Sequence, residues 1–247
     1  MISVSRAKTV LKKTAIILLA LLFIGKLLLW FPQPAFAHKV EYKNFTVYAT
    51  KEIKGDAGKI FDSVIEKIQR SENYDAHHRH RIFLCEPGTF YHALLFTENG
   101  SYASNMTMRH NIFIFPIADF EKNTVTRPQS TTSYRLDQLL AHEITHTFVR
   151  DKLPSWKKEG YAEYIASYKE GYVESGDLKR NAITLLTSKD YFLTNELGIP
   201  RPLPYFKGRT LVEYLFFIEG LTFAQIKSDE VTEEKSLEAL KKWVDEQ

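Results

Sequence analysis

The chain of 247 residues holds one cysteine, Cys85. A single thiol cannot close an intramolecular disulfide, so no disulfide framework supports the fold. Within Arg81-Ile82-Phe83-Leu84-Cys85 it reads as a small buried strand residue, and no local cysteine-protease signature surrounds it. Glycine (11) and proline (9) are sparse, and no repeat or low-complexity tract is present. Collagen-like, solenoid and linker-dominated architectures are thereby excluded. Acidic residues are missing altogether from residues 1–37. That stretch holds five of the 33 basic residues and none of the 30 acidic ones, so the remainder carries a net charge of −2 although the whole chain carries +3. The basic balance belongs to the front of the chain, and no nucleic-acid partner is expected. Hydrophobic residues make up 44% of the chain, enough for a sizeable core.

At the front, Arg6, Lys8, Lys12 and Lys13 precede an apolar run from Thr14 to Phe31 that only Lys26 interrupts. A basic flank before an apolar stretch reads as a signal peptide or a signal anchor. The positive flank stays in the cytoplasm, so the remainder is expected outside it. As a helix the run rises about 27 Å, just short of a hydrocarbon core. Lys26 lies near the far end, where it can snorkel to the interface. Pro32 ends the helix, and Ala35-Phe36-Ala37 fits a small-x-small cleavage site. Both readings stand open: a single retained membrane anchor, or a signal cleaved after Ala37 and a secreted product. Residues 1–37 are set apart as targeting, and 38–247 as one domain with an α/β lobe (38–128) and a helical lobe (129–247).

Val40 to Thr50 reads as a strand, and Asp56 offers a cap to a helix whose stripe is Ala57, Ile60, Phe61, Val64, Ile65 and Ile68. Strands are expected at Arg81–Cys85 and Asn111–Phe115, with a short helix near Phe90–Phe96. A polar linker covers residues 123–133. Beyond it only helices are expected, at about 134–150, 156–169, 177–187, 208–218 and 233–245. Strands first and helices after argue an α+β fold with a mixed sheet.

His142-Glu143-Ile144-Thr145-His146 lies inside the first late helix. Residues four apart share a helical face, so His142 and His146 can point at one metal ion. Glu143 is offset by about 100 degrees and suits a general base better than a ligand. A third ligand must come from elsewhere, because catalytic zinc usually takes three protein ligands and keeps a fourth position for water. Downstream, Leu153-Pro154-Ser155-Trp156-Lys157-Lys158-Glu159-Gly160-Tyr161-Ala162-Glu163-Tyr164 puts Glu159 and Glu163 one turn apart on a helix that Ser155 can cap. Small residues Gly160, Ala162 and Ala166 allow close packing that brings Glu159 toward the histidines. Glu163, one turn deeper, can accept a hydrogen bond from a ligand imidazole.

HExxH followed by Trp-x-x-Glu-Gly-x-Ala resembles the gluzincin metallopeptidases, and most of all their compact "peptidase MA-like" domains. The resemblance implies a zincin-like fold, Zn2+ as cofactor, His142, His146 and Glu159 as ligands, Glu143 as base and Glu163 behind the ligands. It is specific over residues 141–166 and extends weakly over 40–220. Only 12 residues separate His146 from Glu159, which places the chain among the compact members. The implied activity is hydrolysis of peptide bonds in a peptide or protein substrate, by a zinc-activated water with Glu143 as general base. A donor must also stabilise the oxyanion; Tyr205 is the first choice and Tyr214 the second. The strand Asn111–Phe115 is expected to be the edge that pairs with substrate, with Ser101–Asn105 lining the cleft. His77-His78-Arg79-His80 reads as a solvated loop. The alternative to a peptidase is a non-catalytic, zinc-containing exported scaffold or peptide-binding domain, whose mark would be a damaged base or ligand.

Overall fold

The structure is a computed structural model that describes residues 4–95, 103–106, 111–126, 133–149, 152–167, 175–194 and 200–246. The fold is α+β, built on a mixed sheet and rich in helix. The apolar run lies in a long helix, α1 (Val4–Trp30). Its stretch Lys12–Trp30 is long and apolar enough to cross a membrane. A short 3-10 turn, Gln33–Ala35, leads into the sheet.

The expected strand at 40–50 is in fact a hairpin of β1 (His38–Tyr42) and β2 (Phe45–Ala49). Lys43 takes a positive φ of 50° at the turn, a conformation that lysine does not announce in a sequence. Helix α2 (Ala57–Ile68) starts where expected, with the Asp56 carboxylate accepting the Lys59 N–H at 3.1 Å. It crosses over to β3 (His80–Leu84), which pairs parallel to β2. After α3 (Phe90–Leu95) come β4 (Ala103–Met106) and β5 (Asn111–Ile114). The strand order is β1-β2-β3-β5-β4, parallel in the middle and antiparallel at both margins. Strand β5 is therefore interior, and β4 is the margin beside it. This corrects the expectation that Asn111–Phe115 is the edge. The continuous burial of Asn111–Ile114 fits a central strand.

Alternation divides the sheet into two faces. Ile82, Leu84, Ile112 and Ile114 join one core cluster with α2 and the later helices. Phe83, Cys85, Phe113 and Phe115 form a second cluster with Phe36 and Tyr91. Cys85 is buried there as expected, and burial pushes its thiol up to about 12.

The 123–133 region is not purely linker. Strands β6 (Ile117–Asp119), β7 (Thr124–Thr126) and β8 (Ser133–Arg135) form a small antiparallel sheet that feeds α4 (Leu136–Phe148). Then follow α5 (Ser155–Ser167), α6 (Ser175–Thr187), the hairpin β9 (Phe192–Thr194) with β10 (Pro200–Pro202), α7 (Leu203–Phe217), α8 (Phe223–Ile226) and α9 (Glu233–Asp245). The small hairpin and α8 are additions to the all-helical expectation. Helix α7 begins five residues earlier than expected because Pro204 sits in its first turn, where a missing N–H costs nothing. The larger core cluster spans both sides of residue 128, from Phe45 to Leu240.

The start of α4 is pinned by buried polar groups. The Asn123 carbonyl accepts the Leu136 N–H at 3.1 Å, and its side-chain oxygen accepts the Asp137 N–H at 2.9 Å. Asp137 is fully buried and takes Arg135 at 2.7 and 2.9 Å, Ser63 at 2.7 Å and Lys67 at 3.2 Å. These partners tie α4 to α2. Burial alone would raise the Asp137 carboxyl, but Arg135, Ser63 and Lys67 outweigh it and hold it well below the usual carboxylate range. A carboxylate so lowered contributes stability above its unfolded pKa near 3.9, and loses it as pH falls through the folded value. Asp137→Ala is expected to cost about 3–5 kcal/mol, since it strands the buried Lys67 ammonium. The gap from wild type should narrow below about pH 4. Unfolding of the detergent-solubilised chain across pH tests this; a loss under about 1 kcal/mol at neutral pH would contradict it.

Candidate metal centre

Helix α4 is buried almost all round, so its polar residues face protein and need partners. His142 and His146, one turn apart, bring their Nε2 atoms to 3.1 Å from each other. Glu159 on α5 extends Oε2 to 3.3 Å from His142 Nε2 and 3.2 Å from His146 Nε2. Three donor atoms from two helices thus close a nearly equilateral triangle. Among the described residues this is the one group of histidine and carboxylate side chains placed to hold a metal ion.

The donor set fits zinc. Bonds of about 2.0–2.1 Å in a tetrahedron give ligand-to-ligand edges of about 3.3 Å, which the triangle matches. Two imidazoles and a carboxylate are also the ligand types that zinc takes in open catalytic sites. Three lone-pair-bearing atoms facing one another at such distances need either a cation or extra protons between them.

Behind the triangle, Glu163 Oε1 lies 3.1 Å from His142 Nδ1. A proton on Nδ1 directed at this carboxylate leaves the Nε2 lone pair turned to the triangle. Arg201, from β10, approaches Glu163 Oε2 at 3.4 Å and reaches Gln138 at 3.4 Å, with its guanidinium over the Tyr134 ring. Burial opposes the ionised form of Glu163, but Arg201, His142 and Arg209 together hold it down at about 2. Burial likewise opposes the imidazolium of His142, but Glu159, Glu163 and Glu143 outweigh it and raise it to about 10. Glu159, only half-buried, is drawn well below the usual range by His142 and His146, which outweigh its partial desolvation. The carboxylates and imidazoles of the cluster thus stabilise one another's charged forms.

Glu143 is buried on α4, near enough for its charge to act on His142 and on Tyr205. Tyr205 stands in the first turn of α7, its ring centroid 6.1 Å from that of His142. Burial, then Glu159, Glu163 and Glu143, push its phenol up to about 12, so it keeps its proton. The five residues His142, Glu143, His146, Glu159 and Glu163 therefore gather with Tyr205 at one place. Tyr214 does not join them. Its hydroxyl donates to Glu219 and its ring packs near Trp243, facing α9.

Three further expectations change. Of Ser101–Asn105, residues 101 and 102 lie outside the described residues, and 103–105 belong to β4. Ser155 is the first residue of α5, while the Pro154 carbonyl accepts from the Lys157 and Lys158 N–H groups. The His77–His80 stretch is not wholly a solvated loop. His77 is exposed, but His80 is buried at the start of β3, paired with Phe45 in register and stacked on its ring at 5.4 Å. Arg201 went unforeseen, because an arginine between two prolines carries no periodicity.

Small residues on α5 do permit close packing, with α7 as the beneficiary. A Cβ on Gly160 would meet the Gly208 carbonyl oxygen at 2.3 Å, and one on Gly208 would meet the Trp156 oxygen at 2.7 Å. Both obstacles are backbone and cannot swing aside. Gly160→Ala is therefore expected to destabilise the protein by at least about 2 kcal/mol, because α5 must move off α7. Denaturant unfolding checks this, and an unchanged midpoint would contradict it. Neither a comparison with family models nor one with curated proteins gives a match to this chain.

Proposed function

We propose that the protein is a zinc-dependent peptidase with a zincin-like fold, acting outside the cytoplasm on a peptide or protein substrate. The observation that carries the proposal is the triangle of His142, His146 and Glu159 donors at 3.1–3.3 Å, with Glu143 beside it on the same helix. The undamaged base and ligand set favours catalysis over a scaffold role. The likeness of HExxH and Trp-x-x-Glu-Gly-x-Ala to the gluzincins supports the same reading. So does the sheet, whose margin strand β4 packs near α4.

His142, His146 and Glu159 would hold the zinc ion, which when bound supplies Lewis acidity and activates water near neutral pH. Glu143 takes a proton from the attacking water and passes it to the amine that leaves. Tyr205, whose phenol stays protonated, donates to the carbonyl oxygen as negative charge gathers there. Glu163 orients the His142 ring from behind, so that its Nε2 would be free to hold the ion, and Arg201 keeps Glu163 ionised. The margin strand β4 takes the role first expected of β5, offering backbone groups to an extended substrate.

Glu143→Gln in the full chain is expected to retain zinc while hydrolysis falls by at least about 10²-fold. Turnover of a diverse peptide library, read beside the metal content of the same preparation, tests this. Full activity in the variant would remove Glu143 from the chemistry, and a wild type that holds zinc but cleaves nothing would remove the peptidase reading.

A further inference from the structure

We propose that residues 28–36 are a built part of the globular domain, so that α1 remains attached in the mature protein and clamps the domain against a lipid surface. The proposal does not depend on the peptidase reading. It rests on how the second face of the sheet is covered.

That face presents Phe83, Cys85, Phe113 and Phe115, all fully buried. Helices α2 and α4 pack on the opposite face and cannot cover it. Phe36 supplies cover from the segment after α1. Its ring lies 5.2 Å from Phe83 and 5.4 Å from Tyr91, and Leu29 packs against the same cluster. The 3-10 turn at Gln33–Ala35, closed by Ala35 N–H to the Pro32 carbonyl, delivers Phe36 to that place.

The backbone gives an independent argument. Pro32 has no N–H, so the Leu28 carbonyl four residues earlier cannot receive its helical hydrogen bond. The Tyr91 hydroxyl donates to it instead, at 2.8 Å. The Leu29 carbonyl accepts from Asn111 Nδ2 at 3.1 Å. Tyr91 and Asn111 are both buried, and Asn111 opens the interior strand β5. Two side chains of the domain thus complete the C-terminal end of the apolar helix. A loose tether has no use for such contacts. A cut after Ala37 would remove both acceptors and uncover the Phe83–Phe113 face.

The docking also sets which side of the domain meets the bilayer. Trp30 and Phe31 end the apolar stretch, and Phe90 stands exposed beside Tyr91, whose hydroxyl holds the helix end. Aromatic side chains collect at this depth, where hydrocarbon gives way to headgroups. The partner of this surface is therefore the headgroup layer of the membrane that α1 crosses.

The test takes the full chain expressed in a bacterial host, with the soluble and secreted fractions collected beside the membranes, which are extracted in mild detergent. Intact mass should equal that of the whole chain, 28.7 kDa. A product beginning at His38 would overturn the proposal. Phe36→Ser in the full chain should lower Tm by about 4 °C or more, and a shift under about 1 °C would also overturn it. Should Phe36→Ser fail to fold, Tyr91→Phe removes only the donor to the Leu28 carbonyl and should lower Tm by about 2 °C. An unchanged Tm in that variant would reduce the contact to coincidence.

Discussion

The backbones of α5 and α7 touch at Gly160 and Gly208, and this contact fixes where Glu159 stands. Glu159 is the neighbour of Gly160 in the chain, so any lift of α5 off α7 moves the third donor of the triangle. The same packing sets Glu163 behind His142 and holds Tyr205, at the head of α7, beside the site. Helix α4 is fixed separately, through Asn123 and the buried Asp137 network that ties its start to α2 and β7–β8. The site therefore forms where α4 and α5 pack on each other, α4 held from its start by α2 and α5 held along its length by α7.

Charge is handled with the same economy of parts. The carboxylates of Glu159 and Glu163 face the two histidines, and Arg201 and Arg209 balance the rear of Glu163. Further back, Arg209 meets Glu213 at 2.7 Å, both buried. Buried charges in such a chain are costly alone and tolerable in pairs. The alternation of acidic and basic groups running back from His142 keeps the imidazole oriented and its carboxylate ionised. Residues with no contact to the triangle, Arg201 first among them, thus act on it through others.

Periodicity on single helices was the legible part. Residues i and i+4 on one helix share a face whatever the rest of the chain does, so the pairs His142 with His146 and Glu159 with Glu163 could be read directly. The capped stripe of α2 and the bounds of α9 were legible for the same reason. Sheet order was not, because which strand lies outermost depends on contacts between distant segments; hence β5 was expected at the margin that β4 occupies. The turn at Lys43 and Asn44 lacks glycine, and it hid the hairpin inside one apparent strand. Tyr205 comes before Tyr214 on the resemblance alone; its place at the head of α7 was not legible, because a proline in the first turn disguised where that helix starts. The docking of Phe36 was concealed by its place inside a sequence that also fits a cleavage site.

Zinc content of the purified full chain, beside that of Glu159→Ala, tests the central claim most directly. The account predicts about one zinc per wild-type chain after dialysis and a near-complete loss in the variant, since two imidazoles alone leave the site short of a ligand. Wild type that takes up no zinc, even when supplied with the metal, would contradict the account, as would a variant that holds zinc as tightly as the wild type.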